Sequence, residues 1–88
     1  MNKNRRFNLE SIQADIQYIL GELDELKDKL ESIKDEEQEA YDNLYDRFPS
    51  RAEEMEYGLD YLDQAIDNLE NSISYLEDCD GDIEEAKG

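Results

Sequence analysis

The 88-residue chain has no histidine and no tryptophan, a single cysteine and a single proline, and neither valine nor threonine. Each gap excludes something. Without histidine, the commonest metal ligand and general base is missing. One cysteine, Cys79, can close no internal disulfide and build no thiolate metal site. The missing valine and threonine, together with the apolar spacing described below, argue against a sheet. No stretch approaches the roughly 18 unbroken apolar residues that cross a bilayer, and no signal-peptide h-region follows Met1. A cytoplasmic location with Cys79 reduced is therefore expected, with no membrane partner.

Charge of one sign is abundant. Twenty-six acidic side chains stand against 9 basic ones, a net charge of −17. Such a field repels phosphates, so direct binding of nucleic acid is not expected. Carboxylates lie close together throughout, yet no apolar pocket is evident that would set one apart from its neighbours as an acid or base. Neither an enzyme nor a cofactor is expected. Asp78-Cys79-Asp80-Gly81-Asp82 has the start of a calcium-loop pattern. Its glycine falls two places early, and the bidentate glutamate of the twelfth position would lie beyond Gly88, so no metal ligands are assigned.

The apolar residues carry the architecture. Leu9, Ile12, Ile16, Ile19, Leu23, Leu26, Leu30, Ile33, Ala40 and Leu44 form one series, and Ala52, Met55, Leu59, Leu62, Ile66, Leu69, Ile73, Leu76 and Ile83 another. Both follow the alternating three- and four-residue spacing of a heptad seam, with Leu20 and Ala65 widening the stripes. Asn8 suits a helix N-cap. Pro49 disfavours helix at Phe48, Ser50-Arg51-Ala52-Glu53 reads as a capping box, and Asp80-Gly81 reads as a stop. The expectation is one all-α domain over 1–88: a helix over about 9–46, a turn over 47–50, a helix over 51–80 and a flexible tail over 81–88. The short turn makes an antiparallel two-helix hairpin, a coiled coil with Leu44 level with Ala52, Ile33 with Leu62, Leu30 with Ile66, Leu23 with Ile73 and Ile19 with Leu76. Two helices bury little apolar surface against the entropy of ordering them, so self-association into a helical bundle, a dimer of hairpins, is expected. Glu37 takes a seam position where leucine would fit, opposite Gly58 and Leu59.

Charge is unevenly shared between the halves. Residues 52–86 contain thirteen acids and no lysine or arginine, whereas Lys27, Lys29 and Lys34 can pair along the first helix. Glu53, Glu54, Glu56, Asp60, Asp63, Asp67 and Glu70 therefore form a candidate acidic face for a basic protein partner. Such a face is either a solvated coat or an imitation of nucleic-acid phosphates. Tyr41, Tyr45, Tyr57 and Tyr61 lie outside the seam toward the turn and form a candidate aromatic recognition patch.

The stretches Ile33-Lys34-Asp35-Glu36-Glu37-Gln38-Glu39-Ala40-Tyr41-Asp42-Asn43-Leu44 and Ala65-Ile66-Asp67-Asn68-Leu69-Glu70 resemble small acidic helical proteins of unknown function from bacteriophages and mobile elements of Gram-positive bacteria. The resemblance covers about the central half of the chain. It implies a phage-type origin, a bacterial host cytoplasm, and a host protein, such as a defence nuclease, as the basic target. Two other readings stay open. One is a structural coiled-coil assembly protein. The other is a sponge for a small signalling molecule, which would draw on Arg5, Arg6, Arg47 and Arg51.

Overall fold

In a computed structural model describing residues 1–88, the chain forms two helices and no strand. Helix α1 runs Lys3–Arg47 and α2 runs Pro49–Lys87, packed side by side as an antiparallel hairpin. The Cα envelope measures 67 × 15 × 12 Å, the length that 45 residues span at about 1.5 Å each.

Both helices are longer than their sequence signals suggest. The N-cap of α1 is Asn2, not Asn8: its side-chain oxygen accepts from the Arg5 N–H at 2.8 Å. Residues 3–8 contain no helix breaker, so the cap recruits two further turns. The turn shrinks from four expected residues to one. Phe48 (φ −140°, ψ 74°) donates its N–H to the Leu44 carbonyl at 2.6 Å, and its own carbonyl accepts from Arg51 and Ala52 at 3.0 and 3.1 Å. One residue thus ends α1 and opens α2. Pro49 takes the first helical position, where its missing N–H costs nothing and its φ is already helical. Ser50 is therefore inside the helix, and the capping box is not made.

At the far end α2 passes through Gly81 without a break and continues to Lys87. Residues 81–87 are helix rather than flexible tail because Ile83 extends the apolar series and the tail has α1 to lie against. Gln13 donates to the Asp80 carbonyl at 3.4 Å and to Glu84 at 3.0 Å, and Arg6 Nε reaches the Lys87 carbonyl at 3.2 Å. Leu9 to Ile16 would otherwise overhang.

The interior is narrow. Only Ile16, Ala52, Leu59 and Ile66 are buried, and Leu9, Leu20, Leu23, Leu30 and Leu44 of α1 join Met55, Leu62, Leu69, Ile73 and Leu76 of α2 as half-buried neighbours. On α2 the expected seam is the seam observed. On α1 only every second member is: Leu9, Ile16, Leu23, Leu30 and Leu44 face α2, but Ile12, Ile19, Leu26 and Ile33 remain 45% to 53% exposed. Their places, and that of the exposed Ala40, are taken by Gln13, Leu20, Lys27, Lys34 and Tyr41, one position further along. The stripe on α1 is wider than one neighbouring helix can cover, and the helix is rotated so that its hydrogen-bonding edge meets α2.

Gly21 lies in α1 away from the interface with open space around the site of a Cβ. Gly21→Ala is expected to stabilise the hairpin by about 1 kcal/mol in thermal or urea unfolding, because alanine loses less backbone entropy in a helix.

Candidate interaction surface

The rotation of α1 builds a ladder along one face of the rod. Tyr41 donates its hydroxyl to Glu56 at 2.5 Å, Lys34 pairs with Asp63, Lys27 with Glu70 at 3.6 Å, and Gln13 donates to Glu84 at 3.0 Å. Steps of seven from Tyr41 to Lys34 to Lys27, and of fourteen on to Gln13 past the apolar Leu20, are answered by equal steps up α2, as two antiparallel heptads require. The ladder fixes the axial register of the hairpin. It keeps Leu30 level with Ile66 and Leu23 level with Ile73, as the sequence suggested.

Several expected roles change as a result. Glu56, Asp63 and Glu70, expected on a free acidic face, are engaged with α1. Lys27 and Lys34, expected to pair along their own helix, reach across it, so α2 does receive cationic relief. Glu53, Asp60 and Asp67 form the adjacent row, spaced by seven, and are exposed, as is Glu54. The electrostatic face of α2 is thus two rows: an inner one tied to α1 and an outer one open to solvent. The sequence carried the signal in the donor residues Gln13, Lys27, Lys34 and Tyr41, themselves spaced at multiples of seven.

Titration behaviour follows the ladder. The bond to Glu56 pushes the Tyr41 phenol up to about 12, because ionisation would set a phenolate against a carboxylate. The Lys34 ammonium is held above its ordinary value by its bond to Asp63. Glu84 lies below the usual carboxylate range, first through its bond from Gln13 and then through Lys87 at 2.9 Å.

The four tyrosines do not form one patch. Tyr41 and Tyr45 meet as tilted rings within α1 at 5.8 Å between centroids, and Tyr57 and Tyr61 likewise within α2 at 4.8 Å. The first pair borders the ladder, while the second lies on the outward side of α2, with Tyr57 70% exposed. Arg5 and Arg6 are at the open end of the rod and Arg47 and Arg51 at the turn, so within one chain they do not converge on a common ligand. Segment 78–82 is helix throughout.

Comparison with protein-family models, with curated proteins and with solved structures finds no match to this chain. No helix is long and apolar enough to cross a membrane.

Tyr41 is expected to ionise near pH 12 in a spectrophotometric titration. Tyr41→Phe should remove that step. A phenol whose folded value is raised contributes stability in full below its unfolded value of 10 and loses it as pH climbs toward 12, so the wild-type advantage over Tyr41→Phe should fade across that window.

Proposed function

We propose that the protein is a non-enzymatic, self-associating helical module that binds another protein through its carboxylate coat. The partner would be one whose basic groove ordinarily holds nucleic acid. In the phage-type context implied by the sequence resemblance, the partner is a host defence protein and the outcome is inhibition in the bacterial cytoplasm.

The observation that carries this reading is the distribution of charge on the rod. Twenty-six carboxylates along 67 Å amount to one per about 2.6 Å, near the one charge per ~1.7 Å of duplex DNA. Ion pairs engage only Asp63, Glu70 and Glu84, and exposed pairs of that kind leave most of the surrounding field in place. Two helices with their side chains also approach the girth of a duplex. Glu53, Asp60 and Asp67 supply the most regular free row.

A structural assembly protein is the second reading, supported by the exposed row Ile12, Ile19, Leu26 and Ile33. The two separate by salt. Immobilised protein is expected to retain a basic target from bacterial lysate at low ionic strength, to release it as NaCl is raised, and to lose it to added duplex DNA. Combined Glu53→Gln, Asp60→Asn and Asp67→Asn should lower retention severalfold with unchanged helical circular dichroism. Capture that resists both salt and DNA would favour assembly through apolar contacts.

A further inference from the structure

The face opposite the ladder is built differently. Ile12, Ile19, Leu26 and Ile33 form a large, exposed row on α1. Beside it α2 presents Gly58, Ala65, Ser72, Cys79 and Ala86, also spaced by seven and all small. Leu26 and Ile33 share a groove with Ala65 and Ser72, over a floor of Leu30 and Leu69. No position in either row is acidic, nor is any in the α2 row between them, Met55, Leu62, Leu69, Leu76 and Ile83. The α1 row between them, Leu9, Ile16, Leu23, Leu30, Glu37 and Leu44, holds one carboxylate, the half-buried Glu37 beside Met55, Gly58 and Leu62. On a rod of net charge −17, this is the strip where another anionic rod would cover the fewest carboxylates, Glu37 alone among these rows.

We propose that this face seats a second copy of the chain, related by a two-fold axis parallel to the rod, which closes a four-helix bundle. The inference rests on the self-association proposed above and adds its face, symmetry and register. Half a turn about that axis lays α1 of each copy antiparallel over α2 of the other, at unchanged height. The hairpin register then places Ile33 over Ala65 of the second copy, Leu26 over Ser72, Ile19 over Cys79, Ile12 over Ala86 and Ala40 over Gly58. Each pair agrees in height to within about 3 Å. Large meets small in the isoleucine and leucine layers, and the contact is self-complementary, as an isologous dimer requires. A two-fold axis across the rod would instead stack isoleucine rows on each other and leave the small rows facing a gap. Along the rod, every helix gains antiparallel neighbours on both sides. The adverse pairings are Arg47 over Arg51 at the turn, an exposed end where like charges cost little, and Glu37, which stands at the same height in both copies beside Gly58 and keeps its charge only by reaching solvent.

Surface area agrees. The chain exposes 6729 Å², against the ~5,400 Å² that size scaling gives for a compact monomer of 10.3 kDa. A two-helix face from Ile12 to Ala40 covers on the order of 800 Å², the share per partner of a standard stable interface. A second copy thus removes much of the excess.

Sedimentation equilibrium of the full chain from low-micromolar to millimolar concentration is expected to give a mass twice 10.3 kDa. Ile19→Cys, paired with the native Cys79, should yield a covalent dimer on oxidation, resolved by non-reducing electrophoresis. Wild type and Asp60→Cys should give none under the same conditions. Ala65→Glu should weaken the dimer roughly tenfold or more while leaving helical circular dichroism intact. A dimer that neither cross-links through Ile19→Cys nor responds to Ala65→Glu would overturn this packing and leave self-association standing. A monomer throughout would overturn both and mark the face as the seat of a different chain.

Discussion

The axial register of α1 against α2 is the constraint on which everything else depends. It is set at the turn, where Phe48 alone separates the helices and returns hydrogen bonds to both. The ladder from Tyr41–Glu56 to Gln13–Glu84 repeats it over the length of the rod. A shift of either helix by one residue would break every rung and move Ile16, Leu59 and Ile66 out of the interior. The individual bonds are exposed and each is worth little. Their value lies in selecting one alignment among many that a pair of leucine-rich heptads could adopt.

Much of this was legible in the sequence. The number of helices, the hairpin and the heptad on α2 follow from apolar spacing, and the level pairs Leu30–Ile66 and Leu23–Ile73 follow from folding the chain about Phe48. The ends were harder to read. Asn8 and Gly81 carry helix-boundary chemistry, but Asn2 caps earlier, and tertiary contact with Gln13 and Arg6 draws the helix past Gly81. At the first end one local signal displaced another, and at the second a local signal lost to packing. The face of α1 was ambiguous for a different reason. Its apolar residues occupy more of the circumference than one partner covers, so spacing alone cannot say which edge turns inward. That choice is made by Lys27, Lys34 and Tyr41, whose partners lie on the other helix and are invisible to any reading along one helix.

The same rotation divides the exterior into unlike halves. Bringing the donors of α1 inward places Glu56, Asp63 and Glu70 beside them and leaves Glu53, Asp60 and Asp67 as the outer row. It also turns Ile12, Ile19, Leu26 and Ile33 out on the opposite side, next to the small row of α2. Charge and apolar surface are thus segregated by one rigid-body choice. Surface carboxylates tolerate exposure, whereas a row of half-exposed isoleucines over such a length is what soluble helices ordinarily cover.

Segregation of this kind links the two proposals quantitatively. A single hairpin carries −17 over 67 Å, one net charge per about 4 Å, less than half the line density of duplex DNA. Two hairpins joined along their apolar strips, at unchanged length, double that to one per about 2 Å, close to the duplex value of ~1.7 Å. Side-by-side association, as the two-fold axis parallel to the rod gives, adds charge without adding length. End-to-end or staggered association would lengthen the rod and leave its density lower. Burying the apolar rows offsets the repulsion between the two copies, and that repulsion is the field a basic groove would meet. On this argument assembly would favour phosphate mimicry rather than rival it, because the paired rod would carry net charge at a density closer to a duplex than a lone hairpin does.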